Sequence, residues 1–159
     1  MGSQSDDLSR LAQPLVLRRP EIIHGLRNMV QNAVDFAQSQ VWVETIWTTT
    51  HVKVRIMDDG PGYPLHVIGR IGDPFMRDKR TENDDPKRPA YEGMGLGLFI
   101  AKTLLERTGA ELYFSNCSQL EILDDSKGVP TGASVEISWQ RSDIEQTNGA
   151  LGENKQIKA

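Results

Sequence analysis

His51-Val52-Lys53-Val54-Arg55-Ile56-Met57-Asp58-Asp59-Gly60-Pro61-Gly62 is the stretch around which the rest of the chain falls into place. Val52, Val54 and Ile56 alternate with longer polar or flexible side chains, the pattern of a strand with one buried face. Strict alternation puts Asp58 on that same apolar face. A carboxylate closing an apolar face, just before a Gly-Pro-Gly bend, fits two roles. It can be an oriented acceptor in an apolar slot for an exocyclic amine such as adenine N6. It can also be a turn aspartate bonded to nearby backbone, and Asp58 taken alone reads more simply that way.

Outward toward the N-terminus, residues 41–48 are rich in Val, Ile, Trp and Thr and predict a second strand, joined to the one at 51–57 by a tight turn. Before it, Ile22, Leu26, Met29, Val30, Ala33, Val34 and Ala37 recur at helical spacing. With Pro20 suited to a first turn, they predict a helix over 20–38. Residues 15–17 fit a short edge strand, and 1–13 are polar and loose, in part a cloning remnant. Toward the C-terminus a short helix is expected over 64–70. Residues 73–92 hold Pro74, Pro86 and Pro89 around a charged run, too polar to order by burial. A helix over 96–108 ends at Gly109 as its C-cap. Strands follow at 110–116, 119–123 and 132–140, and 141–159 read as a disordered tail. The pattern predicts an α+β fold over 14–140, a two-layer α/β sandwich with a mixed sheet and helices on one face.

Bulk properties narrow the partners. The 159 residues suit one domain, and 38% hydrophobic with 25% charged residues is an ordinary globular balance. A net charge of −4 argues against binding nucleic acid through its phosphates. Cys117 is the single cysteine, which excludes an internal disulfide and fits a cytoplasmic protein. No apolar run approaches the ~20 residues that cross a bilayer, and the first residues lack a signal-peptide core, so no direct membrane contact is expected of this fragment.

Two further motifs carry possible chemistry. Gly93-Met94-Gly95-Leu96-Gly97-Leu98 opens a helix, where glycines let backbone approach a ligand and free N–H groups attract phosphate. It matches neither the dinucleotide fingerprint nor the Walker loop, and a flexible hinge explains it equally well. Asn28 and Asn32 lie four apart on one helix face, beside the buried stripe. Their amide oxygens are hard ligands of the kind that accompany ATP phosphates around Mg²⁺, although bonds to a neighbouring loop would also account for an isolated pair.

The order of these motifs is more telling than any one of them. Asn28-Met29-Val30-Gln31-Asn32-Ala33, Asp58-Asp59-Gly60-Pro61-Gly62, Asp73-Pro74-Phe75 and Gly93-Met94-Gly95-Leu96-Gly97-Leu98 resemble the N, G1, F and G2 boxes of the GHKL superfamily of Bergerat-fold ATPases and kinases. The resemblance covers about 14–140 and implies an ATP-binding catalytic domain. It implies Asn32 as the Mg²⁺ ligand, Asp58 with Gly60 and Gly62 as the adenine site, and Gly93, Gly95, Gly97 and Leu98 as the phosphate cradle. Residues 73–92 would form the ATP lid. Between Arg77 and Arg88 the lid holds five basic and four acidic residues. Lys79, Arg77 and Arg80 are its candidate phosphate contacts, and Phe75 anchors its base.

In the gyrase-like ATPases the position of Asn28 holds a glutamate that activates water. An amide cannot serve as that base, so hydrolysis should be slow, as suits a kinase. Asn28 and Asn32 are thus the implied catalytic pair. Asp35 departs from the basic residue that many histidine kinases carry three positions after the metal asparagine. The run from Arg18-Arg19-Pro20-Glu21 through Phe36-Ala37 resembles the RegB/PrrB group of redox-responsive sensor kinases. That implies a histidine-bearing dimerisation domain, a downstream response regulator and a parent anchored in the bacterial inner membrane. His24, His51 and His66 lack the setting of a phosphoacceptor. Cys117 reads as an inert thiol, and Trp42, Trp47 and Trp139 as packing. An anti-sigma-factor-type serine kinase and a nucleotide-responsive interaction module without phosphotransfer remain as alternatives.

Overall fold

Pro20 opens the first helix, α1 (Pro20–Phe36), where its missing N–H costs nothing, and Glu21 in the first turn favours the helix dipole. Ile22, Gly25, Met29 and Ala33 are buried along one stripe. Val34, part of the expected apolar periodicity, is 53% exposed, because the buried stripe is narrower than the apolar one. The computed structural model describes residues 12–71, 94–117 and 128–146.

The two strands of the N-terminal hairpin are β1 (Val41–Trp47) and β2 (His51–Asp58), paired antiparallel from Val41↔Asp58 to Trp47↔Val52. Their turn is closed by Thr48 N–H donating to His51 O at 2.9 Å, with Thr48 Oγ1 accepting from the Thr50 and His51 amides. A short helix α2 (Leu65–Ile68) follows. Then come α3 (Met94–Glu106), β3 (Glu111–Asn116), β4 (Ala133–Gln140) and a last turn of helix, α4 (Arg141–Ile144). Gly109, at φ +87°, ends the α3 region as expected.

The four strands lie in the order β1-β2-β4-β3. Every pairing among them is antiparallel, which corrects the expected mixed sheet. β2 and β3 do run in the same direction, as a crossover through α3 requires, but β4 inserts between them and removes the parallel contact.

One face of the sheet meets the helices. Val52, Ile56, Val135, Ile137, Trp139 and Phe114 from the strands join Met29, Ala33, Leu98, Ala101 and Leu105 from α1 and α3 in a single buried cluster. Gly25 lets the helices approach closely, since a Cβ there would lie 2.5 Å from Leu105 Cγ. Trp139 is 2% exposed, and its Nε1 donates to Thr108 Oγ1 at 2.8 Å, so the indole is buried without an orphaned donor. On the opposite face Glu136 pairs with Lys53 and Arg55, away from the helices.

The fold does not stop at residue 140. Ile144 is 1% exposed, and Leu17 N–H donates to Ile144 O while Gln146 N–H donates to Leu15 O. The expected edge strand at 15–17 is a single bridge, Val16↔Glu145, and it ties the chain before α1 to the chain after α4. Residues 141–146, expected to open a disordered tail, instead belong to the fold, because burial of Ile144 holds α4 in place. The expected lid at 73–92, the strand at 119–123, and residues 1–11 and 147–159 lie outside the described residues. Among the described residues no helix is long and apolar enough to cross a membrane.

Candidate functional site

Asp58 ends β2 on the helix-facing side and is 3% exposed. Its Oδ1 accepts from Gly60 N–H at 2.8 Å and from Ala133 N–H at 3.1 Å. Its backbone carbonyl accepts from Gly132 N–H at 2.8 Å. Burial raises its pKa above the ordinary 3.8, the two backbone bonds oppose that rise, and the Asp59 charge adds to it. The turn role expected for Asp58 is present, since Oδ1 accepts from the Gly60 amide of the bend. A turn alone does not require burying a carboxylate, which costs free energy unless something answers the charge.

Glycines let the backbone pack tightly around this carboxylate. A Cβ on Gly132 would stand 2.1 Å from Asp58 Oδ1 and 2.6 Å from Gly60 N. A Cβ on Gly60 would stand 2.2 Å from the carbonyl oxygen of Phe36. Gly62 has φ +76°, and the Asn116 amide fills the place a side chain would take. That amide grips the backbone of Tyr63 at two points, accepting from its N–H at 2.7 Å and donating to its carbonyl at 2.9 Å. Tyr63 is buried edge-on against Phe114, with ring centroids 6.0 Å apart, and burial pushes its hydroxyl pKa far up.

Gly132 and Asn116 were not foreseen. A signal for Gly132 exists in the register. Met57 faces Ser134, so one step further along the pair of strands brings Asp58 to the start of β4, where a small residue is needed. Asn116 has no local signal, because its partner is 53 positions away.

Asn28 and Asn32 are half-buried on α1, and neither amide has a hydrogen-bond partner among the described residues. Half-exposed amides of this kind can bond water, and they leave their oxygens available to a ligand. Gln31 donates to Asp35 at 2.8 Å on the exposed side, so Asp35 is engaged on its own helix. Gly95 and Gly97 lie in the first turn of α3, and the Cβ position of Gly97 is open, with nothing within 4 Å. Leu98 departs from the expected cradle. It is 2% exposed in the core cluster, so its side chain is spent on packing and only its backbone remains for a ligand. Gly93, Lys79, Arg77, Arg80 and Phe75 lie outside the described residues.

His24, His51 and His66 are exposed, and His51 Nδ1 pairs with Thr50 Oγ1 at 2.8 Å within the turn. No group of three or more His, Cys, Asp or Glu that could hold a metal occurs among the described residues. An ion held by one or two amides together with nucleotide phosphates needs no such group.

Cys117 is 2% exposed, with its Sγ 3.4 Å from Ala133 O, and burial pushes the thiol up to about 11. At pH 8 the folded chain should therefore react with a thiol reagent about 100-fold more slowly than the unfolded chain, whose thiol has its ordinary pKa. Labelling rates with and without denaturant check this, and equal rates would show the thiol to be accessible.

Comparison with known proteins identifies the family. Residues 18–143 match the family described as histidine kinase-, DNA gyrase B-, and HSP90-like ATPases. The chain is 54% identical over 147 residues to sensor histidine kinase RegB of Cereibacter sphaeroides, covering 92% of this chain and 32% of that protein. It is 31% identical over 102 residues to the signal transduction histidine-protein kinase AfsQ2 of Streptomyces coelicolor, covering 64% of this chain and 18% of that one. The chain thus spans about a third of the RegB relative. Among solved structures, a mycobacterial sensor histidine kinase, MprB, superposes with a TM-score of 0.55 at 20% identity, over 83% of this chain and 78% of that chain. Full-length ShkA in complex with AMPPNP superposes with a TM-score of 0.58 at 20% identity, over 85% of this chain and 24% of that chain. With residues 18–143 matched and the expected helix-on-sheet layers present, this chain belongs to the histidine kinase-, DNA gyrase B-, and HSP90-like ATPases.

Proposed function

We propose that this chain is the catalytic ATP-binding domain of a two-component sensor histidine kinase, which binds Mg-ATP and presents the γ-phosphate to a histidine on a separate dimerisation domain. The observation that carries this is the buried Asp58 carboxylate, held through Oδ1 by Gly60 and Ala133 where glycines let the surrounding backbone pack close to it. Its Oδ2 would accept the adenine amino group, an acceptor whose strength grows as water is excluded. Asn32, and Asn28 beside it, would hold the metal end, and the availability of both amides among the described residues is consistent with that assignment. Bound Mg²⁺ would neutralise charge on the phosphates. Gly95 and Gly97 would let the first turn of α3 approach the phosphates, with its N–H groups as donors. Gly93 and Lys79 would complete the contacts.

The chain's own contribution is then positioning and electrostatics, and the Asn28 amide would not activate water. Asn28 stands where a general base would be needed, so hydrolysis by the isolated chain should be slow. From the resemblance of residues 18–37 to the redox-responsive sensor-kinase group, the parent would be anchored in the inner membrane, respond to redox state and pass phosphate to a response regulator.

The test mixes the chain with a separately prepared histidine-bearing dimerisation domain and labelled ATP. Acid-labile, base-stable phosphate on that domain is the expected result. Acid-stable phosphate would point instead to serine transfer, and nucleotide binding with no transfer to a competent acceptor would leave only an interaction module.

A further inference from the structure

We infer that Asp59 is a positioning residue, which fastens the C-terminal end of α1 to the loop after β2 and so fixes the spacing between the α1 amides and the Asp58 carboxylate. This rests on the proposal that the site binds Mg-ATP. Asp58 and Asp59 are neighbours, and alternation turns their side chains to opposite sides. Asp58 faces the site, and Asp59 faces the segment that links α1 to β1. Three successive amides of that segment converge on its carboxylate: Gln38 at 2.8 Å, Ser39 at 2.9 Å and Gln40 at 3.1 Å, all on Oδ1. Ser39 adds its hydroxyl to Oδ2. Consecutive N–H groups aimed at one anion form a nest, which grips a carboxylate better than any single bond.

The neighbouring contact has no slack. Gly60 lies so close to the carbonyl oxygen of Phe36, the last residue of α1, that no Cβ fits between them. The helix end and the loop therefore meet backbone to backbone, and the Asp59 carboxylate spans the junction beside them. The Ser39 hydroxyl first, and then the three amides, keep the Asp59 carboxyl well below the usual carboxylate range, so the fastening stays charged through the neutral range.

A ligand that touches only one end of the site does not sense this spacing. A ligand that spans both ends does, because a preset distance spares it the cost of ordering the two halves. Loosening Asp59 should weaken Mg-ATP selectively.

The experiment measures affinities of AMP, ATP in chelator and Mg-ATP for the wild-type chain, Asp59→Ala, Asp59→Asn and Ser39→Ala, with Tm recorded for each. In Asp59→Ala, Mg-ATP should weaken by about 10-fold while AMP changes by less than about 2-fold. Asp59→Asn keeps an acceptor oxygen for the three amides and should recover part of the loss, while the AMP to Mg-ATP ratio is what simple destabilisation would leave unmoved. If Asp59→Ala fails to fold, the Asp59→Asn, Ser39→Ala double variant must show the same selectivity to a smaller degree. Equal losses for AMP and Mg-ATP, or no loss for either, would overturn the inference. Wild-type chain that binds no nucleotide would remove the Mg-ATP site and this inference together, whereas normal wild-type binding with an unchanged AMP to Mg-ATP ratio would remove the inference alone.

Discussion

Asp58→Asn should weaken adenine-nucleotide binding by at least about 100-fold while leaving the folded chain as stable as the wild type or more so. Asparagine keeps an Oδ1 oxygen, so the bonds from Gly60 and Ala133 survive. What changes is the second oxygen, which becomes an NH₂ donor facing the donor on adenine. Losing a charged acceptor and leaving two donors opposed costs roughly 3 kcal/mol, or about 100-fold in affinity. Stability moves the other way. Burial raises the pKa of Asp58, so the folded chain prefers the protonated carboxyl. That preference supports folding below the ordinary value of 3.8 and is lost as pH rises through the higher folded value. At neutral pH the charged group is a burden that the fold carries for its ligand, and the neutral amide relieves it. Isothermal titration and a thermal melt at neutral pH test both halves. Unchanged ATP affinity would remove the adenine assignment, and a large fall in Tm would show that the charge is structural.

Gly132→Ala should damage both stability and binding. Its Cβ would enter a space already held by Asp58 Oδ1 and by the backbone nitrogen and oxygen of Gly60, the farthest of these at 2.8 Å. Backbone atoms cannot swing aside as the end of a long side chain can. Overpacking of this kind costs about 3 kcal/mol, which lowers Tm by roughly 6–12 °C in a domain of this size. The relief available is to push Asp58 or the Gly60 loop outward, and either move spoils the acceptor. ATP affinity should therefore fall even at temperatures where the variant is fully folded. A variant with wild-type Tm and affinity would mean that the strand and loop are further apart than described.

Much of this was legible in the residue pattern. The spacing of Ile22, Met29 and Ala33 located α1, and the alternation of Val52, Val54 and Ile56 put Asp58 on the buried face, where it lies. Those signals are local, reaching a turn of helix or two steps of strand. The missing parts are long-range. The bond from Ala133 to Asp58 spans 75 positions, and it exists because β4 inserts between β2 and β3, an order that periodicity does not encode. The same insertion made the sheet antiparallel throughout its described strands and brought Gly132 to the carboxylate. Asp59 was hidden for another reason. In the sequence it reads as one more turn residue, and its work emerges only when the end of α1 is seen beside it. Leu98 is a different case: the glycine-rich motif points to the site, while burial assigns its side chain to the core and leaves only its backbone for a ligand.

A crystal structure of this chain with magnesium and a non-hydrolysable ATP analogue would settle most. It should place the adenine amino group within hydrogen-bond reach of the Asp58 carboxylate, and the metal on the side-chain oxygen of Asn32. A nucleotide bound with its base away from Asp58, or with its phosphates remote from α1 and the first turn of α3, would contradict the site described above.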